Sequence, residues 1–288
     1  MTPILATLLA CTDAGKEPDH SDSADIEAIG CEIAMGGSGA AVGTVDCADG
    51  RCVVAAGPFW QGAADPVHPD RCPARAVTLS EYSMDQTEVT RAAWAECQAD
   101  GVCGDAHSHT QIDTEGEVVE LLPMTGINWE EAAAYCEWKG GHLPTEAQWE
   151  KAARGTEGST WSWGSLSPDC TRANFRFSTS YCELGPIDVG HYPDFPSPFG
   201  LLDVSGNVWE WTADWFDADW YAEAPMTDPG SPEACSMVVG QAQGACESRV
   251  IRGGAFDTTE GTTQVSRRSF ADPAVADRNL GLRCAYDP

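Results

Sequence analysis

The sequence predicts a disulfide-stapled domain of mixed α and β structure, and three observations carry that reading. Helix-capping signals alternate with stretches at strand spacing, cysteines bracket the loops, and an oxygen-rich turn runs into a tryptophan cluster between Gly200 and Phe216. Asp203 and Glu210 supply carboxylates to that turn, and Ser205-Gly206-Asn207 between them favours positive φ, which aims carbonyls inward. Carboxylates with backbone carbonyls are what a hard cation such as Ca²⁺ takes at its roughly six to eight oxygen positions. Trp209, Trp211 and Trp215 follow. Alternation puts Trp209 and Trp211 on one face of an extended segment, as core anchors or as the wall of a cleft.

The elements follow in order. Val77, Leu79 and Tyr82 alternate as a strand that turns into a helix near Thr90, its N-cap, with Ala92, Ala93 and Trp94 inside. Asn128 caps a second helix that ends near Gly140, with Glu130 and Glu131 in its first turn, where the helix dipole favours them. Thr145 and Gln148 form a capping box opening a third helix, which Gly155 closes. Cys97 and Cys103 flank a short loop and can pair locally. Cys170 with Cys182, and Cys235 with Cys246, read as loop staples, each adding roughly 2 to 4 kcal/mol if unstrained. His107 and His109 share a face in a strand, either as a metal pair or as solvated surface groups.

Composition sets the address. Net charge is −29, from 16 basic and 45 acidic residues, which excludes nucleic acid and an anionic membrane surface as partners. It suits solubility and divalent cations. Residues 1–11 form a short apolar run ending in Leu8-Leu9-Ala10-Cys11, which looks like a bacterial lipobox that leaves Cys11 lipidated. No Lys or Arg precedes Lys16. Residues 12–29 read as an acidic disordered tether, and residues 30–52 as a lead-in carrying Cys31, Cys47 and Cys52. Of 13 cysteines, Cys11 set aside leaves an even set that belongs to an oxidising compartment, and no Cys-x-x-Cys occurs to hold a structural zinc. The expected location is the bacterial cell envelope, lipid-anchored or secreted, with membrane contact only through the anchor.

GNVWEW at 206–211, LPTEAQWEKAARG at 143–155, IRGGAF at 251–256 and NLGLRCA at 279–285 together resemble the formylglycine-generating enzyme or sulfatase-modifying-factor family. The resemblance implies one domain over residues 53–288, with a C-type-lectin-like α+β fold of little regular structure. It implies calcium at Asp203, Gly206, Val208 and Glu210, with Asp203 in place of an asparagine, and a second calcium ligand at Asn174. Cys136 and Cys284 match a family disulfide, whereas Ala153 stands at a position of another. Arg268 lies where the family has a pocket arginine, either gripping a carboxylate of a ligand or closing an internal salt bridge. With Trp209 it forms the candidate cleft for a protein, a peptide or a small ligand.

One family feature is missing. The oxidases of this family bind copper through two cysteines between the Gly-Gly-Ser block and the final block, since thiolate is a soft ligand for Cu(I). Here no cysteine lies between Gly253 and Arg283, and Ala255 replaces the serine. Copper is therefore not expected, and no catalytic residue is assigned. The leading expectation is a calcium-stabilised binding or structural module. The alternative is an oxidoreductase or protein-modifying enzyme of the family that uses a different metal site.

Overall fold

The computed structural model describes residues 45–65, 67–107 and 119–288. The expected signal peptide, Cys11, the tether, Cys31 and His109 lie outside the described residues. Five strands come first, β1 (Cys47–Ala48), β2 (Arg51–Val54), β3 (Gly57–Gln61), β4 (Arg75–Leu79) and β5 (Tyr82–Asp85). Helices α1 (Arg91–Ala99), α2 (Trp129–Trp138) and α3 (Glu146–Arg154) follow. The rest comprises β6 (Trp209–Trp215), the short helix α4 (Trp220–Glu223), β7 (Arg249–Arg252), β8 (Ser269–Ala271), β9 (Leu280–Gly281) and β10 (Ala285–Tyr286). The strands form three sheets, ordered β1-β2-β5-β10, β3-β4 and β8-β7-β6-β9.

Local chemistry explains the helices. The Thr90 hydroxyl accepts from the Ala93 amide, and Asn128 with Glu131 and Thr145 with Gln148 both form reciprocal capping boxes. Gly155, at φ 72°, supplies the left-handed stop after α3. The expected single strand through Val77 and Tyr82 divides into β4 and β5, which belong to different sheets. The corner between them is held by Asp228, whose carboxylate accepts from the Ser80 amide and hydroxyl at 2.7 and 2.8 Å. The expected lead-in is divided as well. A Cys47–Cys52 disulfide closes the β1–β2 hairpin, and β2 pairs along β5, so this part is built into the frame.

The sheet containing β6 separates two interiors of opposite character. On one face Trp209, Trp211 and Ile251 join Trp94, Tyr135 and Leu280 in an apolar cluster with α1 and α2. The other face meets α3, which buries Glu146, Glu150, Lys151 and Arg154. Arg252 donates to Glu146 at 3.2 Å and to Glu150 at 2.8 Å. Arg268 donates to both oxygens of Glu146 at 2.8 and 2.9 Å, and Arg154 to Glu150 at 2.6 Å. Burial alone would raise the Glu150 pKa, but Arg252 and Arg154 overcome it and hold the carboxyl below its ordinary value. The period of two along β6 sorts the tryptophans from the charges.

Five disulfides join described cysteines: Cys47–Cys52, Cys97–Cys103, Cys136–Cys284, Cys170–Cys182 and Cys235–Cys246. The Cys136–Cys284 bridge spans 148 residues and ties α2 to the end of the chain. Among the described residues no helix is long and apolar enough to cross a membrane.

Candidate functional site

The turn at Ser205-Gly206-Asn207 is the junction of the domain. Asp203 and Asn207 take positive φ, 60° and 61°, a conformation that short polar side chains tolerate. Gly206, at φ 103°, is required outright, because a Cβ there would lie 2.5 Å from the Asn174 carbonyl oxygen. The close approach lets the Asn207 amide donate to that carbonyl at 2.8 Å, while the Gly206 amide donates to Gly253 at 2.9 Å. Asn207 is the hub. Its side-chain nitrogen donates to Glu88 at 3.1 Å, and its side-chain oxygen accepts from the Ile187 amide at 3.0 Å and from Asn174 at 3.4 Å.

Beside this hub lies a chamber of about 10 Å³, room for one water-sized sphere, lined by Asn174, Asp203, Ser205 and Asn207 with Trp163 and Arg172. Arg172 is paired with Asp169 and stacks over Phe195. Two oxygens near the hub are buried without a donor among the described residues: Oδ1 of Asn174 and Oε2 of Glu88. Burial, and next the charge of Asp203, push the Glu88 pKa well above its ordinary value. Burial also raises Asp203, although its carboxylate accepts from the Gly190 amide at 2.5 Å.

The expected calcium ligands are thus only partly together. Asp203 and Asn174 share the chamber, and their oxygens suit a hard cation. Glu210 is engaged apart from the chamber. Its Oε1 accepts from Arg283 at 2.7 Å, and its Oε2 accepts from Arg283 and from the Trp149 indole, each at 2.7 Å. Three donors thus take three of the roughly four acceptor positions of this carboxylate, which lies on the α3 side of the sheet. The Val208 carbonyl faces Gly253, and neither it nor Gly206 lines the chamber. Glu88 was not anticipated. It sits 119 residues from Asn207, so no spacing in the sequence announces the pair.

The cleft of Trp209 and Arg268 is corrected. Trp209 is buried in the apolar cluster, whereas Arg268 lies on the opposite face with Glu146 and donates to the carbonyls of Asp70 and Asp217. Four of the five N–H donors of Arg268 are used internally, the salt-bridge alternative for this residue. The histidines do not converge either. His107 lies 3.6 Å from Glu131 and His142 lies 3.6 Å from Asp287, while the His191 ring packs edge-on against Tyr192. Among the described residues no three His, Cys, Asp or Glu side chains group as metal ligands.

The interval that carries copper cysteines in the family's oxidases is closed here by hydroxyls. Thr258 bonds to both the amide and the carbonyl of Ala255 at 2.9 Å. The Thr263 hydroxyl donates to the Glu260 carbonyl at 2.8 Å and receives the Trp161 indole at 3.3 Å. A threonine hydroxyl is a hard, redox-inert group. Cys284, the nearest cysteine in sequence beyond the interval, is bridged to Cys136.

Residues 41–288 match the sulfatase-modifying factor enzyme 1-like domain. The chain belongs to that family. The formylglycine-generating enzyme of Thermomonospora curvata is 30% identical over 303 residues, covering 84% of this chain and 95% of that protein. The Streptomyces coelicolor formylglycine-generating enzyme is 37% identical over 176 residues, covering 57% of this chain and 52% of that one. The aligned part thus spans about half of the Streptomyces protein. The structure of PvdO from Pseudomonas aeruginosa superposes with a TM-score of 0.66 at 23% identity, covering 83% of this chain and 94% of that one. The sulfatase-modifying-factor chain therefore has the α+β, disulfide-rich formylglycine-generating-enzyme fold.

Proposed function

We propose that this sulfatase-modifying-factor protein is an exported, lipid-anchored component of the bacterial cell envelope. It acts as a calcium-stabilised binding or structural module without copper-dependent formylglycine-generating activity. The observation that carries the reading is the cysteine-free interval from Gly253 to Arg283, in which threonine hydroxyls bond to the chain itself. Calcium would be held by Asp203 and the donor-free oxygen of Asn174, with Glu88 close by, and would supply positive charge to offset buried carboxylates. Glu210 stays with Arg283. The even cysteine set and the lipobox-like Cys11 support the address.

Metal analysis of the purified, oxidised full chain and of an Asp203→Ala, Asn174→Ala variant tests the proposal. One equivalent of calcium, lost in the variant, is the expected result, together with no oxidation of a cysteine-containing peptide. Stoichiometric copper or iron, or turnover of the peptide, overturns it. Those outcomes would favour a second reading, a protein-modifying oxidoreductase with another metal site, which the likeness to formylglycine-generating enzymes over most of the chain supports.

A further inference from the structure

A second cavity lies apart from the Asn207 hub, between β8 and the loop that follows α4. It is a groove of about 270 Å³. Its apolar wall is made by Phe216, Phe270, Met237 and Val239. Phe216 and Phe270 pack at 4.6 Å between ring centroids, yet Phe270 remains 45% exposed. A large aromatic half in water beside a concave apolar wall is surface that a ligand can cover.

The rim adds the chemistry. Arg267 and Asp70 both line the groove, close enough for the charge of Asp70 to act on the Arg267 guanidinium. The other guanidiniums nearby are occupied. Arg268 is held by Glu146 and by two carbonyls, and Arg71 by Asp65, Gln264 and Ser266. The rim therefore offers one cation and one anion whose side-chain hydrogen-bonding capacity is not spent among the described residues.

We propose that this groove binds a free α-amino acid with a large apolar side chain, its carboxylate on Arg267 and its ammonium toward Asp70. The side chain rests on the phenylalanine pair with Met237 and Val239. Paired opposite charges at one rim select a ligand that carries both. A residue within a peptide carries neither backbone charge, and a peptide terminus carries only one. The volume agrees, since drug-sized ligands occupy pockets from roughly 300 Å³ upward and a single amino acid needs less. An arginine fork is suited to a carboxylate.

The inference deepens the reading of the protein as a binding module, and it uses none of the residues around Asp203. Calorimetric titration of the full chain with L-phenylalanine, N-acetyl-L-phenylalanine and L-phenylalanine amide tests it. The free amino acid should bind saturably, and each blocked form about tenfold more weakly, because each lacks one charged contact. Arg267→Gln should weaken L-phenylalanine about tenfold and bind the amide equally well. Asp70→Asn should do the same for the acetyl form. Both side chains are partly exposed, and unchanged thermal midpoints would show the variants folded. Absence of saturable binding, equal affinity for all three probes, or tighter binding of the acetyl form overturns the proposal. Calcium binding retained alongside such a result leaves the module reading standing.

Discussion

Two buried regions of this molecule carry comparable charge and resolve it differently. Around α3, Glu146 and Glu150 are closed by Arg252, Arg268, Arg154 and the Tyr221 hydroxyl, so each carboxylate has side-chain donors of its own. Around Asn207, Glu88 and Asp203 face each other with one amide donor apiece, while oxygens of Glu88 and Asn174 go without. Burial of a charge costs several kcal/mol unless donors replace water. The first region is complete with side chains alone, whereas the second leaves two buried oxygens without a donor among the described residues. That contrast separates a satisfied ion network from a partly satisfied chamber, even though both read as acidic positions in sequence.

The largest expected effect comes from breaking the closed region. Arg252→Met removes the guanidinium that bridges Glu146 and Glu150, and should cost about 3 to 5 kcal/mol in urea denaturation. A loss below about 1 kcal/mol would mean that Arg268 and Arg154 suffice and the network is redundant. The open region should behave in the opposite sense. Calcium at 100 times its dissociation constant should stabilise the wild type by about 2.7 kcal/mol. Glu88→Gln with Asp203→Asn should abolish that gain while leaving the chelated protein no less stable. A variant that keeps the calcium response would place the cation elsewhere.

A smaller effect concerns Asp214 at the margin of the closed region. Its carboxylate accepts from the Glu146 amide at 2.6 Å, and burial, reinforced by the charge of Glu146, raises its pKa to about 7. The folded state then holds a proton that the unfolded state releases near pH 3.9, so this group's contribution falls as pH rises through that window. Between pH 5 and 7 the fall should be about 2 kcal/mol, and Asp214→Asn should flatten it. An unchanged pH profile of the thermal midpoint in the variant would show that Asp214 is ionised throughout.

The frame was legible because its signals are local. Asn128 with Glu131 and Thr145 with Gln148 lie three residues apart, and the cysteine pairs 97/103, 170/182 and 235/246 close short loops. The long Cys136–Cys284 bridge was legible only through resemblance. What the sequence hid were long-range choices between equal chemistries. Glu210 is as good a cation ligand as Asp203 until Arg283 arrives from 73 residues away and takes both its oxygens. The acids and bases of α3 look like a solvated helix face, yet Glu146, Glu150, Lys151 and Arg154 are all buried. Their partners Arg252 and Arg268 lie about a hundred residues on, beyond any periodicity. Ser80-Glu81 gave no sign of a corner, since Asp228 holds it from 148 residues away.

Residues 283–286 close the domain in three ways at once. Arg283 neutralises Glu210, Cys284 bonds to Cys136, and β10 covers the edge of β5 with Ala285 opposite Met84. All three closures lie within four consecutive residues. Without that segment the domain would keep an open edge on β5, an unbridged Cys136 and an unmatched glutamate in its interior.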